Sequence, residues 1–262
     1  MIQSITAIPA FQDNYIWALS DEKGSACVVD PGDAKPVIDY LETNGLTLQA
    51  LLITHHHPDH TGGIAQLSEK YACEVIGPNN PAITGITKAV SEGDSFELLG
   101  QHFDVLEVPG HTLDHVAYAT PASAETGAPP RVFSGDTLFA AGCGRIFEGT
   151  PAQMFASLQK LVALGPETEV YCTHEYTQAN LQFADACEPG SVLVGLRKSL
   201  VEQQRATGLI TLPTTIATEL ASNPFLRCNN PMIVNAAERF SGSKPADSIA
   251  TFAAIRAWKD EF

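Results

Sequence analysis

Short apolar runs that end in polar or glycine-rich turns recur through the first two thirds of the chain. The run from Ser25 to Asp30 stops at a Pro-Gly turn, and the run from Leu46 to Thr54 leads straight into a histidine cluster. Residues Phe96 to Val108 alternate around a central Gly-Gln pair, which predicts a hairpin. Two further runs predict strands: Arg131 to Ser134 and Glu169 to Thr173. Polar residues therefore follow directly on several predicted strands.

Helical spacing of apolar residues lies between and after these runs. Ile64, Leu67 and Tyr71 predict a short helix, and Thr150-Pro151 has the signature of a helix start. Beyond His174 the strand signals fade and helical periodicity dominates. The segments with that periodicity are Asn180 to Ala186, Val192 to Thr207 and Pro245 to Lys259. The pattern predicts a mixed α/β (α+β) part over residues 1–174 and a smaller helical part over residues 175–262.

The charge balance restricts the partners of this chain. Of 262 residues, 15 are basic and 30 acidic, so the formal net charge is −15. Such a surface repels nucleic acids and anionic membranes, and we expect the protein to bind neither. An anionic substrate would need a local cluster of positive charge.

Compartment signals are few but agree with one another. No apolar run approaches the roughly 20 residues needed to span a bilayer, and no Lys or Arg precedes Lys23, so a basic signal-peptide start is missing. The six cysteines are scattered, which predicts reduced thiols rather than a disulfide framework. We therefore expect a cytoplasmic protein. We also expect it to be a monomer, although the sequence itself does not determine the oligomeric state.

The segment Thr54-His-His-His-Pro-Asp-His60 is the strongest chemical signal in the chain. His55 and His57 point to one side in an extended backbone, and Asp59 and His60 follow the turn at Pro58. Imidazoles combined with a carboxylate suit Zn²⁺, Fe or Mn²⁺, whereas Mg²⁺ and Ca²⁺ prefer oxygen ligands alone. A histidine-rich loop that binds no specific metal is the alternative interpretation.

Three more candidate ligands follow apolar strands. They are His111 in Pro-Gly-His-Thr, Asp136 in Ser-Gly-Asp-Thr, and His174 in Thr-His-Glu. Short loops at strand ends are where rigid scaffolds display functional groups. Each residue alone could be an ordinary turn or half-buried residue, but together with the cluster they make seven ligands, enough for two metal ions.

The ordered motifs T-H-x-H-x-D-H, G-H-T, G-D-T and T-H-E resemble the metallo-β-lactamase superfamily, and within it the hydroxyacylglutathione hydrolase (glyoxalase II) family. The likeness extends from Asp13-Asn14-Tyr15 to the Arg-Ala-Trp-Lys-Asp segment at 256–260. It implies an αββα sandwich with a binuclear metal site, followed by a helical C-terminal domain. It also implies two divalent ions per chain, with zinc expected and iron or manganese possible.

The resemblance also implies how the ligands are shared. His55, His57 and His111 would hold one ion, Asp59, His60 and His174 the other, and Asp136 would bridge them. Asp59 and Asp136 are therefore the candidate catalytic carboxylates. Metal binding lowers the pKa of water from about 15.7 toward ~7, which supplies a hydroxide to attack a carbonyl carbon. A thioester suits this chemistry, because its thiol leaving group has a pKa of only about 8.5 and needs little acid catalysis.

The choice of substrate depends on other segments. Residues 142–149 resemble the family segment that meets glutathione, with Arg145 as its basic residue and Phe147 where tyrosine is common. Four more residues match family positions or lie near them: Tyr176, Asn180, Arg256 and Lys259. Arg256 and Lys259 share one face of the last helix and could bind the carboxylates of glutathione, although a solvated helix face is the commoner role of such pairs.

The expected reaction is hydrolysis of S-D-lactoylglutathione to glutathione and D-lactate, the second step of methylglyoxal detoxification. A mononuclear-iron persulfide dioxygenase and a lactonase-type metallohydrolase are the alternative enzymes, and a non-catalytic binding protein is the remaining one. Asp30, which ends a strand before Pro31-Gly32, could orient a ligand histidine or cap the turn.

Overall fold

The computed structural model describes residues 1–262 and forms two compact units. The first unit is Met1–Glu107 with Asp114–Gly135, and the second is Val108–Leu113 with Asp136–Phe262. None of the helices is both long enough and apolar enough to cross a bilayer. All six cysteines are free and buried.

The first unit contains ten strands and three helices. The strands are β1 (Ile2–Ala10), β2 (Asn14–Asp21), β3 (Ser25–Val29), β4 (Thr47–Leu52), β5 (Glu74–Pro78), β6 (Lys88–Val90), β7 (Ser95–Leu98), β8 (Gln101–Glu107), β9 (Val116–Thr120) and β10 (Arg131–Gly135). The helices are α1 (Ala34–Asn44), α2 (Pro58–Thr61) and α3 (Ile64–Tyr71).

Two sheet arrangements occur in this unit. Strands β1 to β6 lie in sequence order, antiparallel from β1 to β3 and parallel from β3 to β6. Strands β7 to β10 are successive antiparallel neighbours. Because parallel neighbours point the same way, β3 and β4 both deliver their carboxyl ends, with Asp30 and the histidine cluster, to the same edge.

The core of the first unit explains why α1 forms. Val37 and Leu41 are both fully buried and lie four residues apart on one helix face. They belong to the same apolar cluster as Val28 of β3 and Leu51 of β4. Each such side chain contributes on the order of 1.5–3 kcal/mol on burial. The Asp33 side chain caps the helix by accepting from the Lys35 backbone N–H.

The second unit is mainly helical. Its helices are α4 (Pro151–Val162), α5 (Thr177–Cys187), α6 (Val192–Ala206), α7 (Ile216–Ser222), α8 (Pro231–Ser241) and α9 (Ser248–Glu261), with a 3₁₀ turn at Pro224–Leu226. Its strands are β11 (Leu138–Phe139), β12 (Gly142–Cys143), β13 (Glu169–Cys172) and β14 (Thr214–Thr215). Strands β11 and β12 form a short antiparallel hairpin, called here the 138–143 hairpin.

The predicted strands and the helix starting at Thr150-Pro151 are confirmed, and Thr150 forms a full capping box with Gln153. The helical periodicity predicted around Pro245–Lys259 is confirmed by α9, which begins at Ser248. The Asp247 side chain accepts from the Ala250 N–H and fixes the helix N-terminus there.

Candidate metal centre

The first ligand group, defined as His55, His57, Asp59 and His60, lies in the first unit between β4 and α2. The β4 run ends at Leu52, and Pro58 then starts the short helix that carries Asp59 and His60. The rings of His55 and His60 are completely buried, with centroids 4.1 Å apart, and that of His57 is 4.7 Å from His55. The predicted cluster therefore converges within the unit.

Asp30 orients two of these histidines. Its side chain accepts from the Thr54 N–H and from the Thr54 hydroxyl, both at 2.8 Å, and lies 3.0 Å from His60 Nδ1. A carboxylate only accepts, so His60 Nδ1 carries the proton and Nε2 holds the lone pair. Thr54 Oγ1, its own proton given to Asp30, lies 3.0 Å from His55 Nδ1. The same reasoning places the lone pair of His55 on Nε2, an arrangement typical of metal-binding histidines.

Asp59 is held from a different direction. Asn14 Nδ2 donates to its Oδ2 at 3.1 Å, and the same oxygen lies 3.5 Å from His60 Nε2. The loop packs so closely on Gly32 that a Cβ there would lie 1.9 Å from the Asp59 carbonyl oxygen. Glycine at position 32 is therefore a condition for bringing Asp59 beside His60.

The histidines outside the predicted ligand set have other contacts. The His115 ring stacks on His55 at a centroid distance of 4.6 Å. His56 Nδ1 lies 2.9 Å from Asp114 Oδ1, and Asn80 donates to the other oxygen of Asp114. A stacking contact and a hydrogen bond thus engage the His115 and His56 side chains, respectively.

The second ligand group, defined as His111, Asp136 and His174, lies in the second unit. All three side chains are buried, at 4–6% exposure. Nε2 of His111 and Nε2 of His174 each lie 3.4 Å from Asp136 Oδ2. Two imidazole nitrogens therefore approach one carboxylate oxygen, although the three residues come from three separate chain segments.

A backbone carbonyl orients His111. Its Nδ1 donates to the Arg145 carbonyl oxygen at 2.7 Å, which again leaves Nε2 as the nitrogen facing Asp136. The Phe147 N–H donates to the His111 carbonyl at 3.1 Å. A Cβ at Gly144 would lie 1.9 Å from the Asp136 carbonyl oxygen, so only glycine allows this segment to pass so close.

The 138–143 hairpin, between Asp136 and Arg145, is held by buried side chains of the helices. Glu219, fully buried on α7, accepts from the Ala141 N–H at 2.7 Å. Asn223 donates to the Gly142 carbonyl at 2.9 Å and to Glu219 Oε2 at 3.0 Å. The second Glu219 oxygen pairs with Arg197. This network satisfies hairpin backbone groups that would otherwise be buried at a cost of about 1–3 kcal/mol each.

Two of the predicted substrate-binding residues join the same network. Asn180 Nδ2 donates to the Ala140 carbonyl at 3.1 Å, and Arg256 Nη1 donates to the Cys143 carbonyl at 3.0 Å. Both side chains are buried. Burial raises the pKa of the Cys143 thiol to about 11, an effect that the neighbouring Arg256 charge partly offsets. Asn180 and Arg256 therefore have structural contacts, and their contact with substrate stays a prediction.

The other predicted substrate-binding residues are more accessible. Phe147 is 60% exposed, with its ring 5.3 Å from that of His111, and the Arg145 side chain is 56% exposed. Tyr176 stacks on His174 at 4.8 Å, with the planes nearly parallel. The Lys259 ammonium lies 5.4 Å from the Phe183 and Phe262 rings, and desolvation followed by the nearby Arg256 charge lowers its pKa.

The donor chemistry fits divalent metal ions. The two groups offer five imidazoles and two carboxylates, and all seven side chains belong to His/Asp groups that could hold a metal ion. In His55, His60 and His111 the Nδ1 atom is hydrogen-bonded to protein oxygen, which places the lone pair on Nε2, as in metal-binding histidines. The sequence did not predict the roles of Glu219 and Asn223, since no local motif marks a carboxylate that bonds a backbone N–H 78 positions away.

Known proteins resemble both parts of the chain. Residues 175–262 match the model described as hydroxyacylglutathione hydrolase C-terminus, and residues 11–174 match the metallo-beta-lactamase superfamily. A hydroxyacylglutathione hydrolase of Hahella chejuensis is 50% identical over 98% of this chain and 99% of its own length.

Two solved structures are also similar. The BLEG-1 B3 metallo-beta-lactamase has 24% identity and a TM-score of 0.64, over 86% of this chain and all of its own. TTHA1623 in a di-iron-bound form has 26% identity and a TM-score of 0.59, over 85% of this chain and all of its own.

The fold is that of the metallo-β-lactamase class, with a C-terminal helical domain, and the predicted α+β fold class is confirmed. The identity of 50% to a relative over 98% of the chain shows which family within that class the chain belongs to. The chain belongs to the hydroxyacylglutathione hydrolase family, as the motifs indicated.

Proposed function

We propose that this chain hydrolyses S-D-lactoylglutathione to glutathione and D-lactate, the second step of methylglyoxal detoxification. The observation that carries this proposal is the 50% identity, over 98% of the chain, to a relative named hydroxyacylglutathione hydrolase. The match of residues 175–262 to that family's C-terminus supports the thioester over substrates of other metallo-β-lactamase-fold enzymes. We propose that this helical part, residues 175–262, serves as the substrate-binding domain.

We also propose that the two ligand groups together hold two divalent ions, zinc in preference to iron or manganese. His55, His57 and His111 would hold one ion, Asp59, His60 and His174 the other, and Asp136 would bridge them. The Nε2 lone pairs support these assignments. The di-iron-bound form of TTHA1623 supports a count of two. When bound, such ions lower the pKa of a water molecule and polarise a carbonyl group.

The two aspartates are the proposed catalytic carboxylates. The Asp59 side chain is 40% exposed and is held by Asn14, so one face of this carboxylate can meet a water molecule. Asp136 is 6% exposed and faces the rings of His111 and His174. Asp59 accepts a hydrogen bond from Asn14, and both carboxylates would orient a donor bound in the site. Because a thiolate leaves readily, no separate general acid is required.

Arg145, Phe147, Tyr176, Asn180, Arg256 and Lys259 are the proposed substrate-binding residues. On a chain of net charge −15, the three cations of this set supply the local positive charge that the carboxylates of glutathione need. The exposed Arg145 guanidinium and Phe147 ring offer a charged contact and an apolar contact, respectively. Asn180 and Arg256 would also fix the hairpin that precedes Arg145.

A monomer in the cytoplasm is the proposed setting. Six buried thiols without a disulfide support a reducing compartment. Light scattering on the purified protein tests the monomer, and a mass near 28 kDa is expected.

The decisive experiment is hydrolysis of S-D-lactoylglutathione by purified protein, followed at the thioester absorbance, with metal content measured on the same sample. We expect fast turnover with about two metal ions per chain, abolished by a chelator and restored by zinc. A metal-loaded sample without turnover would contradict the proposal. Oxygen consumption with glutathione persulfide, or hydrolysis of lactones instead, would then identify one of the alternatives.

A further inference from the structure

Asp260, near the end of α9, contacts two arginines through one oxygen. Its Oδ1 accepts from Arg145 Nε at 3.0 Å and from Arg256 Nη2 at 3.1 Å. Arg256 lies one helical turn earlier on the same face of α9. The carboxylate thus joins the last helix to the segment that carries Arg145.

The two arginines differ in freedom. Arg256 is 7% exposed, donates to the Cys143 carbonyl, and has its guanidinium 5.0 Å from the Phe225 ring centroid. The Arg145 side chain is 56% exposed, and Asp260 is its charged partner. The buried Arg256 therefore fixes Asp260, and Asp260 in turn restrains the exposed Arg145 side chain.

The bond to Nε determines which edge of Arg145 faces outward. A guanidinium presents forked donor pairs that match a carboxylate. With Nε engaged by Asp260, the edge formed by the two terminal nitrogens is the one that an incoming carboxylate meets. Two guanidinium charges against one carboxylate still leave a local positive charge, so Asp260 restrains Arg145 without cancelling the attraction.

We propose that Asp260 is a positioning residue that holds Arg145 for a carboxylate of the glutathione moiety. This inference rests on the proposed function and adds a residue to it. An unrestrained arginine side chain loses rotamer entropy on binding, and prior restraint removes part of that cost. The backbone of Arg145 is already fixed by His111 Nδ1, so Asp260 acts on the side chain.

The test compares Asp260→Ala with Glu261→Ala, the same loss of one acidic side chain at the neighbouring exposed position of α9. Each variant is assayed with S-D-lactoylglutathione and with S-D-lactoyl-N-acetylcysteamine, which has the same thioester but no carboxylate. Binding of S-hexylglutathione, which cannot be hydrolysed, is measured by calorimetry.

We expect Asp260→Ala to raise KM for the glutathione thioester and Kd for S-hexylglutathione about fivefold, the range of a partly exposed ion pair. The turnover number with the glutathione thioester should change less than about twofold, and so should kcat/KM for the neutral thioester. Glu261→Ala should resemble wild type in every measurement. In an Arg145→Ala background the effect of Asp260→Ala should vanish, because coupled residues are not additive.

Values for Asp260→Ala equal to those of Glu261→Ala, a lower KM, or an equal loss with the neutral thioester would overturn the positioning role. Absence of turnover in wild type would instead reject the proposed function. In that case the S-hexylglutathione titrations still decide the role of Asp260, since a wild type that does not bind this ligand rejects it as well.

Discussion

The two ligand groups reach similar local geometry by opposite routes. The first is carried by residues 55–60 on one loop, whereas the second is assembled from three segments between residues 111 and 174. In the first, the Asp30 side chain orients His60, but in the second the backbone carbonyl of Arg145 orients His111. A side-chain partner can be removed by substitution and a carbonyl cannot. The groups should therefore differ in how mutation damages them.

The largest effect is expected at Asp136, which both imidazoles of the second group approach. Asp136→Ala should lower turnover about 10³-fold and reduce the metal content, because no other carboxylate of that group can take its place. Turnover and metal analysis of the same preparation check this. Asp104→Ala, an exposed aspartate on β8, is the control and should retain both. Full activity in Asp136→Ala would disprove the bridging role.

A smaller effect, a loss of metal affinity, is expected when Asp30, the hydrogen-bond partner of the first ligand group, is altered. Asp30→Asn keeps the size of the side chain but weakens its bonds to His60 Nδ1 and to Thr54. Metal affinity should fall about 10- to 100-fold, the usual cost of removing a partner of a ligand histidine. Competition with a chromogenic chelator measures the affinity. Unchanged affinity would show that the imidazoles need no orientation from Asp30.

Arg145→Ala is the corresponding change in the second group and should spare the metal. The carbonyl that holds His111 remains, whereas the guanidinium is lost. We expect unaltered metal content and about a tenfold higher KM for S-D-lactoylglutathione, since a charged hydrogen bond contributes roughly 1.5 kcal/mol or more. A loss of metal in this variant would remove the distinction between side-chain and backbone orientation.

The smallest expected effect is a fall in the free energy of unfolding at alkaline pH, which arises from Cys143 in the 138–143 hairpin. The pKa of Cys143 is raised from 9.0 to about 11, so the thiol ionises in the unfolded chain first. The unfolded chain then binds fewer protons, and the free energy of unfolding falls as pH rises above about 9. Cys143→Ser should lessen this fall by about 1 kcal/mol between roughly pH 9 and 10. Denaturant titrations at both pH values measure it, and parallel profiles of the two proteins would contradict it.

Sequence patterns predicted those elements whose structure is determined by residues close to them in the chain. The strand before His55, the hairpin around Gly100 and the capped start of α4 each depend on neighbours within a few residues. All seven candidate ligands were identifiable because each follows a strand or lies in one motif. The orienting role considered for Asp30 is confirmed by its contact with His60.

Features that depend on distant partners were missed. Two local features were also missed, the β1–β2 pair and α1, although Asp33 and the Val37–Leu41 spacing mark that helix. The remaining examples depend on distant partners. The network of Glu219 and Asn223 joins residues about 80 positions apart, which no periodicity reveals. The contact of Arg145 with Asp260 spans 115 positions. Folding creates these contacts, so local propensity carries no trace of them.

The hydrogen bonds from the C-terminal helices to the 138–143 hairpin also determine which segment of the chain can be exchanged between related proteins as one unit. A chimera joined at residue 174 would give the hairpin foreign partners in place of Asn180, Glu219 and Arg256. A graft that begins at Asp136 would carry the hairpin, Arg145 and their partners together. In this chain a segment that keeps the hairpin with its partners therefore starts nearly forty residues before the end of the matched superfamily region at residue 174.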